Sequence, residues 1–287
     1  MVNLYTHKDS NIRKTWLLIF SFLVLVIGLG WFFSYVWQSP VILYFAVALA
    51  FVMNFFAYWY SDKVALAMSH AHLAPREQYL ELHRLIENLS ITAGLPKPRI
   101  YIIPGSQINA FATGRDPEHS AVAVTEGALA KLNKTELEGV LAHELSHIGN
   151  RDILISSVVV VLAGLIAILA DWFLRMMFWG SFGDRDNKSS GGALMLVLVV
   201  VVAIMAPLVA TIIRLAVSRK REFLADASGA LLTRYPEGLA NALGKIANDE
   251  APMRQAHSGT AHLFIANPFK GKEGKSWFVK LFMTHPP

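Results

Sequence analysis

Apolar and polar positions alternate along this chain on two length scales. On the longer scale, four runs are almost wholly apolar: Trp16 to Trp37, Val41 to Tyr60, Ile153 to Leu174, and Ala193 to about Ile213. The first, second and fourth hold no charged residue, and the third holds only Asp171. Each runs about 20 residues, and a helix rising roughly 1.5 Å per residue then crosses a hydrocarbon core of about 30 Å. The pattern predicts four transmembrane helices arranged as two hairpins. Lys8, Arg13 and Lys14 precede the first run, but that run exceeds the apolar core of a secretory signal and lacks a small-x-small exit, so it reads as a retained anchor.

The polar stretches carry shorter periods. In "PREQYLELHRLIENLSITAGLPKP", Leu82, Leu85, Ile86 and Leu89 form one helical stripe, Pro75 suits the first turn, and Gly94 with Pro96 ends the helix. The runs "RIYII", "NAFATG" and "SAVAV" are short, β-prone and separated by turn residues, which predicts a small sheet. "TEGALAKL" starts a helix and "KTELEGVLAHELSHIGN" another, with Thr135 and Glu138 in capping-box spacing. Further on, "REFLADASGALL" and "PEGLANALGKIAN" read as helices, "APMRQAHSGTAH" as loop, and "KSWFVKLFM" as a last short helix. The fold class is therefore α+β, mostly α-helical and polytopic. Residues 1–60 make an N-terminal hairpin, 61–152 the first part of a polar lobe, 153–217 a second hairpin, and 218–287 the second part of the lobe.

Composition sharpens this picture. Hydrophobic residues make up 54% of the chain and charged ones only 16%, outside the range of an ordinary soluble domain. The absence of cysteine excludes disulfides, thiolate nucleophiles and cysteine metal sites. The net charge of +5 comes from bases beside the apolar runs: Lys8, Arg13 and Lys14, then Lys63 and Arg76, then Arg151, then Arg214, Arg219, Lys220 and Arg221. Positive-inside bias places the N-terminus and the lobe in the cytoplasm, and a juxtamembrane charge of this kind needs no nucleic acid to explain it. Aromatic residues at the run edges, such as Trp16, Trp37, Trp59 and Tyr60, suit either the interfacial belt or ordinary packing.

The candidate chemistry lies just before the third run, in "LEGVLAHELSHIGNRD". His143, Glu144 and His147 make H-E-x-x-H. On a helix, positions i and i+4 share a face, so both imidazoles reach one zinc ion while Glu144 sits beside them to act on a water. A catalytic zinc takes three protein ligands, and "SRKREFLADASG" offers Glu222 with Asp226 four residues later. The second hairpin leaves the membrane surface after His147 and returns to it before Glu222, so the two are delivered to neighbouring points. Read alone, Asp226 is either an acceptor fixing a ligand histidine or a surface aspartate. Di-iron carboxylate bundles also use Glu-x-x-His but require two such motifs, and only Glu144 with His147 supplies one.

With these pieces, the chain resembles the HtpX family of membrane-bound zinc metalloproteases, gluzincins related to the CaaX prenyl endopeptidases. The matching motifs are "INAFATG" (108–114), "AHELSHIGNRD" (142–152), "SRKREFLADA" (218–227) and "LFMTHPP" (281–287), in the family's order. The resemblance implies a zincin-like protease lobe in the cytoplasm and one zinc per subunit on His143, His147 and Glu222. It implies catalysis by Glu144 and support from Asp226. It also implies an edge strand at Asn109, Ala110 and Phe111 to which substrate adds, and a contact from Asn109 and His285 to the scissile carbonyl or its oxyanion. A charged tail beyond "THPP" belongs to the family pattern, whereas this sequence stops at Pro287. The implied setting is the bacterial inner membrane, with lipid bilayer and misfolded or damaged membrane proteins or unfolded chains as partners, in quality control and stress response. Specific processing of CaaX type and a zinc-stabilised scaffold are the alternatives; Glu144 argues against the scaffold, because a structural zinc has no use for a base.

Overall fold

The computed structural model describes residues 4–181, 218–251 and 260–266. Helices α1 (Leu4–Val36) and α2 (Pro40–Trp59) pack together as a hairpin. Both contain a stretch long and apolar enough to cross a membrane. They approach at small residues: a Cβ on Gly30 would collide with that of Ala46. Helix α1 starts well before Trp16, and in its polar opening turns Asn11 and Thr15 are buried.

After α3 (Ser61–Met68) come β1 (His72–Leu73), α4 (Leu80–Ala93), β2 (Arg99–Ile103), β3 (Ala110–Gly114) and β4 (Ser120–Thr125). The strands form one sheet in the order β1-β2-β4-β3, with β2 parallel to β4 and the outer pairs antiparallel. Side chains alternate across it. Ile100, Ile102, Ala110, Ala112, Val122 and Val124 join the core that holds Leu82, Ile86 and Leu89 of α4. Ile103, Phe111, Ala121 and Ala123 pack on the opposite face with Ala65, Leu66 and Phe264.

Helices α5 (Glu126–Lys131) and α6 (Lys134–Gly149) follow, and α6 lies on the first of these two faces. Helix α7 (Asp152–Ser181) leaves α6 at 83°. The corner is Arg151, whose φ of +59° is left-handed and breaks the helical path. The predicted third run falls within α7. Helices α8 (Arg219–Thr233) and α9 (Pro236–Asn248) pack on α6. A second apolar core joins Phe22 of α1 and Met53 of α2 to Ile155 and Leu162 of α7.

The architecture is mostly helical α+β. Two local details correct the sequence reading. Helix α4 begins at Leu80 and not near Pro75, because Tyr79 leaves helical geometry at φ −118° and ψ 39°. The turn before it is closed separately by Tyr79 N–H donating to Pro75 O. The capping box of α6 is Asn133 with Glu136, two residues before the Thr135 and Glu138 pair: Asn133 Oδ1 accepts from Glu136 N–H at 2.9 Å, and Glu136 accepts from Asn133 N–H at 2.8 Å. Lys245 also pairs with Glu136, at 2.7 Å. The fourth predicted span, the helix "KSWFVKLFM" and His285 lie outside the described residues.

Candidate metal centre

The centre forms where α8 crosses α6. Gly229 makes the crossing possible: a Cβ there would come within 3.1 Å of His143 N and 3.3 Å of Ala142 C. With α8 held this close, one turn places Glu222 at the two histidines. His143 Nε2 and His147 Nε2 are 3.1 Å apart, and the Glu222 carboxylate lies 3.6 Å from the first and 3.9 Å from the second. Tetrahedral zinc with bonds of about 2.0–2.2 Å keeps its ligand atoms roughly 3.3–3.6 Å apart, so two imidazoles and a carboxylate in this arrangement suit the ion in both chemistry and spacing.

Each histidine is gripped from behind. His143 Nδ1 lies 2.9 Å from Asp226, and His147 Nδ1 lies 3.0 Å from Asp152. A carboxylate only accepts, so the bond to Asp152 puts the hydrogen of neutral His147 on Nδ1 and leaves Nε2 its lone pair for the shared point, while Asp226 faces His143 Nδ1 as a close charge. Asp152 opens α7 and was not among the site residues read from the sequence. Its signal is an acid placed directly before an apolar run, five residues past His147. Arg221 is a second such residue, with Nε 3.6 Å from Asp152.

Charge follows from this packing. Burial pulls the His143 pKa down, but Asp226 and Glu222 outweigh it and raise the value to about 10. His147 is likewise raised, with Asp152 overcoming burial. Acids that favour a proton on these rings also favour a divalent cation between them. Burial pushes the Glu144 carboxyl up against the opposing pull of the two histidines, and Ala112 N–H donates to it.

Glu144, Ala112, His147, Asp152, Glu222 and His262 line a cavity of about 30 Å³, enough for a water molecule. His262 is buried, its Nε2 is 3.2 Å from the Ser156 carbonyl, and burial lowers its pKa to about 4. It lies in the stretch read as loop, which carries no period from which its inward position could be deduced.

Strand β3 forms the sheet edge beside this cavity. Its outward groups are engaged by three other parts of the chain: Ala110 O accepts from Ile265 N–H, Ala112 N–H donates to Glu144, and Gly114 N–H donates to Ser157 Oγ at 3.1 Å. The Asn109 amide makes a reciprocal pair with the Ala266 backbone, both bonds being 3.1 Å. Phe111 points to the far face of the sheet and meets Phe264 edge-on at 5.1 Å. Thus the structure gathers His143, Glu144, His147, Glu222 and Asp226, while Asn109 and Phe111 are turned to the 264–266 segment.

A buried glutamate and a water-sized cavity beside two imidazoles and a second carboxylate have the layout of a metallohydrolase. The description "Peptidase family M48" belongs to a family model that matches residues 76–287. A protease HtpX homolog of Thermoanaerobacter pseudethanolicus is 47% identical over 99% of this chain and 94% of its own length. One from Pyrococcus furiosus is 47% identical over 94% and 90%. The chain belongs to peptidase family M48, among its HtpX-type membrane proteases, and is a metalloendopeptidase. Among solved structures, that of S. mikatae Ste24p is similar in fold, with TM-score 0.51 and 18% identity over 98% of this chain. This chain spans 64% of the length of that one.

Proposed function

We propose that the chain is a zinc-dependent endopeptidase cleaving cytoplasmic regions of membrane proteins, misfolded or damaged ones above all, in the bacterial inner membrane. Four spans anchor it there, and the stretches 61–152 and 218–287 form the protease lobe on the cytoplasmic side. The observation that carries this reading is the convergence of His143 Nε2, His147 Nε2 and the Glu222 carboxylate beside the buried Glu144. These three residues would hold one zinc per subunit.

When bound, zinc supplies the Lewis acidity that makes water a nucleophile near neutral pH. Asp152 keeps His147 in the ligating tautomer, and the charge of Asp226 beside His143 Nδ1 supports that ring as a ligand. Glu144 accepts the proton of the attacking water and passes it to the leaving amine, a pair of transfers suited to a carboxyl whose proton affinity is raised by burial. Ala112 N–H fixes the Glu144 carboxylate against β3. Substrate lies extended along the edge at Asn109, Ala110 and Phe111, where Asn109 and His285 contact the scissile carbonyl or its oxyanion. To do so Asn109 exchanges its Ala266 partner for substrate. Tethering at the bilayer raises the local concentration of membrane-protein loops and ends above that of soluble chains.

The deciding experiment compares wild type with Glu144→Gln in detergent, with zinc quantified and cleavage of an unfolded membrane-protein fragment followed. The variant should keep zinc and lose at least about 10²-fold in rate. Cleavage at the wild-type rate would sink the assignment.

A further inference from the structure

Asp152 orients His147, and its other oxygen is held from an unexpected direction. The Asn11 amide, in the polar opening turns of α1, donates from Nδ2 to Asp152 Oδ1 at 2.6 Å and to Asn150 O at 3.2 Å. Both acceptors lie about the corner between α6 and α7, far along the chain from Asn11. Both side chains are buried, Asn11 at 4% and Asp152 at 3% exposure. The matched family region begins at residue 76, so Asn11 stands outside it.

An amide in an apolar helix that needed only to satisfy its hydrogens can turn back to its own backbone. Asn54 of α2 does this, donating to Ala50 O at 2.9 Å. Asn11 instead spans two elements to reach a carboxylate already committed to a candidate metal ligand. We propose that Asn11 is a positioning residue of the metal centre: by holding Asp152 it fixes the ring of His147, so that the first apolar helix is part of the site and not only an anchor. The proposal rests on the zinc reading above.

The geometry gives Asp152 three partners. Oδ2 accepts from His147 Nδ1, while Oδ1 accepts from Asn11 and faces Arg221 Nε. With Asn11 removed, Oδ1 keeps, among the described residues, the longer Arg221 contact at 3.6 Å, and the carboxylate is freer to rotate away from His147. Partners one step removed from a metal typically govern affinity by about 10–100-fold.

The test uses the full chain in detergent and measures Zn²⁺ affinity by competition with a chelator. The variants are Asn11→Ala and Asn11→Leu, each with and without Asp152→Asn; Leu keeps the branched shape of the amide and removes its hydrogen bonds. Either Asn11 variant should weaken zinc binding about tenfold. In the Asp152→Asn background the same substitution should change it no further, because the path runs through that carboxylate. Unchanged zinc affinity in Asn11→Leu, or a tenfold loss that persists in the Asp152→Asn background, would overturn the proposal. A wild-type protein that bound no zinc would overturn the metal reading itself, whereas a zinc-binding, active wild type beside indifferent Asn11 variants would overturn this inference alone.

Discussion

Asp226 stands 2.9 Å from Nδ1 of His143, on the side of the ring facing away from His147. One turn of α8 thus supplies both Glu222, in front of the imidazoles, and the acid behind one of them. Asp226→Asn, which keeps the shape and removes the charge, should weaken zinc binding about 10–100-fold without changing the helical content. Chelator competition and far-UV circular dichroism check the two halves of this expectation.

A proton and a zinc ion would compete for the same rings. In metal-free protein, burial lowers the His143 pKa, but Asp226 and Glu222 raise it from 6.5 to about 10. Between those values the folded state binds a proton that the unfolded state has released. This contribution to metal-free stability is fully present below about pH 6.5 and is lost as pH rises through about 10. Apparent zinc affinity should move the opposite way, rising about tenfold per pH unit for each proton released. Thermal melts with and without zinc across this window would reveal the opposed slopes; parallel slopes would contradict them.

Gly229 sets the separation of α8 from α6, since a Cβ would reach 3.1 Å from His143 N. Gly229→Val should destabilise the protein by about 1–3 kcal/mol through overpacking. It should also weaken zinc binding, because Glu222 and Asp226 ride on the displaced helix. Gly229→Ala should give a smaller effect of the same kind in both denaturation and zinc titration.

The start of α6 gives a contrasting case. Asn133→Ala removes the acceptor for Glu136 N–H and should cost roughly 0.5–2 kcal/mol of stability. The cap lies at the opposite end of α6 from His147, and zinc affinity should be unchanged. A denaturant series alongside zinc titration separates the two effects.

Much of this site could be read from local spacing. His143, Glu144 and His147 are neighbours on one helix face, and Glu222 and Asp226 repeat the i, i+4 relation on another. What escaped notice depends on partners distant in the chain. Asn133 with Glu136 and Thr135 with Glu138 have the same spacing, and of the two acids it is Glu136 that meets Lys245, 109 residues further on. Asp152 looks like a helix-start acid until α1, α6 and α8 all present a partner to it. Asn11 falls in a charged segment that reads as a flank of the first apolar run, and nothing local marks it as buried.

Closure of the β3 edge has a consequence for handling other chains. An open edge strand templates intermolecular pairing and, in the end, aggregation. Here Ile265, Glu144 and Ser157 occupy its outward groups from three distant parts of the sequence. A protease that paired its substrates along this edge would in this way be shielded from seeding their assembly, because a guest strand must first displace groups of its own chain.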